Sequence, residues 1–180
     1  MAHWEVAKRL LRYVKGSAGE GLLYVLGEDM SLWGYCDASY GSDPETRRSR
    51  SGHVLISGGA AVSWGSKQQD VVALSSTEAE YICLTHAAQE ALYLAYLQAE
   101  LEIEGAGEGV LLLSDNQSSM KIAHNPVFHK RSKHIAIRYH FIREKVDSGE
   151  VVLQFIGTKL MAADQMTKHV GVQVLVAGRR

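Results

Sequence analysis

The sequence predicts an α/β domain whose mixed sheet has about five strands. After one N-terminal helical stretch, short apolar runs precede the longest helical pattern. A strictly apolar run, "GVLLLSD", follows that helix and fits a strand covered on both faces. Amphipathic stretches then alternate with one more strand. With 180 residues, 46% hydrophobic and 22% charged, the chain is long enough to bury a real core as one domain.

The elements follow in order. His3 to Lys15 repeats Trp4, Ala7, Leu11 and Val14 at helical spacing, and "GSAGEG" ends it. Leu22–Leu26 and Leu32–Cys36 read as strands around the turn residues of "GEDMS". "SGHVLISGGAAVSWGSK" reads as a hairpin turning at Gly58-Gly59. The longest helical pattern runs from Thr77 to Glu100. Asn116–His124 is a short helix closed by Asn125-Pro126, and Lys133–Asp147 is another, with Ile135, Tyr139, Ile142 and Val146 on one face. "SGEVVLQFIG" is a strand, and Ala162–His169 a last short helix.

Composition excludes several classes. No apolar stretch is long enough to span a membrane, and "MAHWEVAKRLLRYV" lacks the continuous apolar core of a signal peptide. Cys36 and Cys83 are far apart and match no zinc or redox spacing, so buried reduced thiols in an intracellular protein are expected. The net charge of −1 gives no global sign of a nucleic-acid partner. Its distribution does: "HKRSKHIAIRYHFIREK" holds Lys130, Arg131, Lys133, Arg138, Arg143 and Lys145 against a single acid, Glu144. Such a segment is either a solvated helix face or the docking site of an anionic partner.

Four acids stand near the ends of elements. Asp37 ends a strand in "GYCDASYG", where opening a turn would be its ordinary role. Asp115 lies at a strand-to-helix junction, where aspartate caps helices well. Asp164 begins the last helix, where negative charge is favourable. In "SSTEAEYICL", helical geometry separates the two glutamates. At 100° per residue, Glu80 has Leu84, Ala87, Ala88, Ala91, Leu94 and Ala95 within about 80° of it, so it projects from the apolar face. Glu78 falls on the wetter side, and Ser75-x-x-Glu78 fits a capping box. An inward carboxylate is costly unless paired. Four carboxylates converging outside strand ends would call for divalent cations, and an all-oxygen site suits Mg²⁺ or Mn²⁺.

"YCDASYGSDPETRRSRSGHVLISG", "SSTEAEYICL", "SDNQSSMKIAHNPVFHKRSKHIAIRYHFIREKV" and "AADQMTKHV" together resemble the ribonuclease H domain of copia-type LTR retrotransposon Pol polyproteins, in the expected order and to about Lys168. "HWEVAKRLLRYVKGSAGEGLLY" is similar to the segment joining the reverse transcriptase to that domain. The resemblance divides the chain into a connector (1–28), a ribonuclease H domain (29–170) and a divergent tail (171–180). It implies an RNase H-like fold, a five-stranded mixed sheet flanked by helices. The implied activity is an endonuclease cutting the RNA strand of RNA–DNA hybrids, as part of a reverse transcriptase in cytoplasmic virus-like particles.

Carried over residue by residue, the implied catalytic and metal-binding set is Asp37, Glu80, Asp115 and Asp164, holding two Mg²⁺ (or Mn²⁺) ions. Asp37 would bridge the ions, Glu80 and Asp115 would complete one, and Asp164 the other. Glu80 matches because related enzymes place the glutamate directly before a hydrophobic residue, here Tyr81. Lys130, Arg131, Lys133, Arg138, Arg143 and Lys145 would hold hybrid phosphates, and binding would then weaken steeply with salt. Ser39, Asn116 and Gln117 are polar candidates for sensing the 2′-hydroxyl. Cellular relatives place a histidine shortly before the last aspartate; none lies in 146–163, which leaves His134 and His140 as candidates.

Ser39-Tyr40 replaces the usual Asp-Trp, Leu160-Met161 replaces polar residues before Asp164, and the tail after Lys168 departs from the pattern. These departures support a second reading, an inactive or co-opted remnant acting as a nucleic-acid-binding or structural module. A third is an exonuclease on the same fold.

Overall fold

Chain order and apolar patterning assemble into one sheet. A computed structural model describes residues 2–25, 27–103, 109–124 and 133–168, the side chains of 2 and 133–136 excepted. The strands are β1 (Trp33–Ser39), β2 (Arg50–Ser57), β3 (Ala60–Gln68), β4 (Val110–Ser114) and β5 (Val151–Phe155). The helices are α1 (Ala2–Gly16), α2 (Ser76–Glu100), α3 (Gln117–His124), α4 (Lys133–Asp147) and α5 (Asp164–Thr167).

The five strands lie in the order β3-β2-β1-β4-β5. β1, β2 and β3 pair antiparallel, whereas β4 runs parallel to both β1 and β5. The β2–β3 hairpin turns at Gly58 and Gly59, both with positive φ (59° and 79°). Two successive positive-φ residues make the tight turn that matches strand twist, which is why a Gly-Gly pair stands there.

α2 supplies much of the core. Tyr81, Ile82, Leu84, Ala87, Ala88, Ala91 and Leu92 are buried with Cys36, Leu55 and Leu112 of the sheet. The run of alanines leaves no bulk between helix and sheet, so α2 lies close on β1 and β2. On its other side Tyr81 meets Tyr139 of α4, with ring centroids 4.1 Å apart. Interlocked rings of this kind fix the spacing of two helices.

Three expectations change. β1 extends three residues beyond Cys36, so Asp37 sits within the strand rather than ending it. The run expected to be a strand over Leu22–Leu26 forms none among its described residues, 22–25. Leu22, Leu23, Tyr24 and Val25 are all exposed, and the Tyr24 hydroxyl donates to the Ala61 carbonyl at 2.7 Å. A side-chain tether has taken the place of a backbone ladder. The helix expected at Ala162–His169 is shorter, with α5 closing at Thr167 and Lys168 at its C-terminal cap.

Candidate metal centre

Parallel pairing of β1 with β4 brings their C-terminal ends side by side, which is where open α/β sheets form crevices. Asp37 projects there from β1 and is only 3% exposed. Asp115 directly follows β4. Glu80 comes from the first turns of α2, 8% exposed, turned inward as its helical phase predicts. Asp37, Glu80 and Asp115 each place a carboxylate oxygen within 4.8 Å of the others.

The neighbouring residues fix this arrangement. Asp37 pairs in register with Gly52 of β2. A Cβ on Gly52 would lie 2.6 Å from Thr167 Cγ2 and 2.7 Å from Met166 Cβ. The missing side chain therefore lets α5 lie flush on β2, next to Asp37. Cys83 Sγ lies 3.0 Å from the Asp37 carbonyl oxygen and 3.4 Å from that of Gly52. Asp115 is not the cap of α3: Asn116 Oδ1 accepts from Ser119 N–H at 2.9 Å. Asp115 Oδ2 instead accepts from the Thr158 hydroxyl at 2.7 Å. With the capping role filled by its neighbour, Asp115 is left to face the other acids.

The electrostatics are those of an unneutralised acid cluster. Burial, then repulsion from Asp37 and Asp115, pushes the Glu80 carboxyl up to about 8. Burial also raises Asp37, against the lowering effects of the Thr167 hydroxyl and Lys168. Glu80 Oε2 is buried with no hydrogen-bond partner. A buried carboxylate oxygen without a donor, facing two further carboxylates, fits a hard divalent cation and little else.

Asp164 stands outside the three-acid cluster. Its Oδ1 lies 2.7 Å from Lys168 Nζ, a close ion pair, and this buried oxygen has no further hydrogen-bond partner among the described residues. Lys168 Nζ is also 3.9 Å from Asp37 Oδ2, which accepts a hydrogen bond from the Thr167 hydroxyl. Lys168, although lowered by partial burial, is raised on balance by Asp164 and Asp37. Thr167, Lys168 and Gly52 were not singled out by sequence reasoning. The one local signal was the fourth-residue spacing of Asp164 and Lys168 on a helical turn.

Glu78 differs from expectation. It is 3% exposed rather than on a wet face, because its Oε2 turns back to accept from Leu74 N–H at 2.9 Å. The Ser75 hydroxyl accepts from Glu78 N–H at 3.1 Å. The pair thus caps α2, with the glutamate serving the residue before the cap. Ser75→Ala is expected to cost about 1 kcal/mol in urea unfolding, without changing the acid cluster.

The basic segment is divided. Lys130 and Arg131 lie outside the described residues, as does the Lys133 side chain. Lys145 is held by Glu150 at 2.9 and 3.1 Å, beside Tyr96, whose hydroxyl donates to Glu150. Tyr96 is about 24 Å along α2 from Glu80. Arg138 Nη1 is buried without a hydrogen-bond partner, and Arg143 is partly buried. His140 is exposed on α4, and the His134 side chain is not among those described. A cleft of about 620 Å³ lined by Ser39, Asp43, Arg50, Gln68, Thr167 and Lys168 adjoins Asp37. Among the described residues no helix is long and apolar enough to cross a membrane.

No family model matches the chain. It is 40% identical over 168 residues, 93% of its length, to the retrovirus-related Pol polyprotein from transposon TNT 1-94 of Nicotiana tabacum. It is 38% identical over 166 residues, 92% of its length, to that from transposon RE2 of Arabidopsis thaliana. The chain spans only 12% and 11% of those two polyproteins. Among solved structures, RNase H1 from the archaeon Halobacterium salinarum superposes with a TM-score of 0.53 at 18% identity, covering 76% of this chain and 94% of the archaeal one. LC11-RNase H1 in complex with an RNA/DNA hybrid gives 0.50 at 15% identity, covering 76% and 94%. By sequence the chain is thus related to one segment of the copia-type Pol polyproteins, and its fold is that of ribonuclease H.

Proposed function

We propose that this chain is a metal-dependent endoribonuclease that cuts the RNA strand of RNA–DNA hybrids. In this reading it works beside the reverse transcriptase region of a Pol polyprotein, in cytoplasmic virus-like particles. The observation that carries the proposal is the convergence of Asp37, Glu80 and Asp115 within 4.8 Å at the sheet's open end, with Glu80 Oε2 buried and undonated. Divalent cations, when bound, supply charge neutralisation and an activated water.

The residues present fit that role. Asp37, Glu80 and Asp115 would hold one ion, and Asp37 with Asp164 a second. Thr167 holds one Asp37 oxygen in place through its hydroxyl. The adjoining cleft, which Ser39 lines, would take the scissile strand, and Ser39 would then meet a ribose hydroxyl. Asn116 and Gln117 follow Asp115 on the other side. The basic residues of 130–145 would carry backbone phosphates, Lys145 less than the rest because Glu150 pairs with its ammonium. Support from outside the chain comes from the Pol relatives and from the neighbour solved with a hybrid.

Incubated with Mg²⁺, the protein is expected to cut the labelled RNA strand of a hybrid and to leave duplex DNA and duplex RNA intact. Folded protein that cuts nothing would favour the remnant reading, which rests on the altered residues Ser39-Tyr40 and Leu160-Met161. Degradation inward from RNA ends would favour an exonuclease.

A further inference from the structure

We infer that Lys168 is a built-in counter-cation of the gap between Asp37 and Asp164, which a second divalent ion must displace. The inference deepens the metal-dependent reading and rests on it. Lys168 Nζ stands 2.7 Å from Asp164 Oδ1 and 3.9 Å from Asp37 Oδ2, so one ammonium serves two carboxylates. An ammonium and a divalent cation cannot share those oxygens, because their repulsion at about 4 Å is strong in a partly desolvated cleft.

Three features make the lysine displaceable rather than fixed. Its side chain is 42% exposed, so it has a path to water. Asp164 Oδ1 is buried with the ammonium as its close partner, so no other donor holds that oxygen when the lysine leaves. Thr167 keeps its own hydrogen bond to Asp37, so the carboxylate stays oriented when the lysine leaves. The backbone beneath is anchored independently. The Ser66 hydroxyl donates to the Met166 carbonyl at 2.6 Å, and Gly52 admits the turn against β2.

The two ion positions therefore differ in kind. Among the described residues Glu80 and Asp115 have no ion-pair partner of their own, and an ion enters on their side directly. The Asp37–Asp164 position already holds one positive charge against its two carboxylates, and an ion enters it only by exchange. Lys168 is accordingly a positioning residue that sets the affinity of the second ion and shields the acids when ions are scarce.

Calorimetric titration with Mn²⁺ alone, on wild type, Lys168→Met and Lys168→Arg, tests this. In Lys168→Met the weaker site is expected to tighten at least about tenfold, with the tighter site changed little. Lys168→Arg should behave like wild type. In chelator, Lys168→Met should melt below wild type, and saturating Mn²⁺ should close that gap. Equal affinities in wild type and Lys168→Met would overturn the inference and leave the metal reading standing. Absence of Mn²⁺ binding in all folded proteins would overturn both.

Discussion

Asp37→Asn is expected to lower Mg²⁺-dependent hybrid cleavage by about a hundredfold to a thousandfold, since several kcal/mol of charge stabilisation pass through this residue. Among the described residues Asp37 is the one acid that both joins Glu80 and Asp115 in the cluster and pairs with Lys168 beside Asp164. Asparagine keeps its shape and can still accept from the Thr167 hydroxyl, so the fold should survive. Because burial already disfavours the Asp37 charge, the variant in chelator should melt no lower than wild type. Cleavage rate and melting temperature, measured on the same preparation, separate a chemical loss from a structural one. A variant that cleaves normally would remove Asp37 from the site.

The second large effect concerns Glu80 and pH. Its folded value of about 8 stands above the ordinary 4.5, so in chelator the fold retains a proton that the unfolded chain releases. Glu80's contribution to stability is then full below about pH 4.5 and is lost as pH rises toward 8, by on the order of several kcal/mol. Divalent ions that bind only the folded protein should recover the loss in proportion to their concentration. Glu80→Gln carries no such proton. It should flatten the slope, melt above wild type at pH 8 in chelator, and lose cleavage. Urea midpoints across pH 5 to 8 measure the slope. A slope left unchanged in the glutamine variant would assign the linkage elsewhere, with Asp37 the next candidate.

What was legible in the sequence was what local periodicity encodes. The direction of Glu80 followed from 100° per residue, because its apolar companions Leu84, Ala87, Ala88 and Ala91 repeat on one stripe and are buried. The Gly58-Gly59 hairpin followed from backbone freedom. Less legible were features set by partners distant in sequence. Leu22–Leu26 has strand composition, yet Tyr24 reaches β3 through its side chain instead. Glu78 looked solvent-facing on a helical wheel, which takes no account of a loop such as Leu74 folding back to donate. Thr167, Lys168 and Gly52 matter because α5 rests on β2 beside Asp37, a contact between residues over a hundred positions apart. The basic stretch read as one row of charge, whereas Lys145 is claimed by Glu150 across the turn into β5.

The most direct measurement is the mass of the RNA ends produced when the protein and Mg²⁺ act on a uniform RNA–DNA hybrid. Metal-held acids that activate water and stabilise a leaving 3′ oxygen predict 5′-phosphate and 3′-hydroxyl ends, with no product in chelator. Cyclic 2′,3′-phosphate ends, or cutting that persists in chelator, would contradict the account.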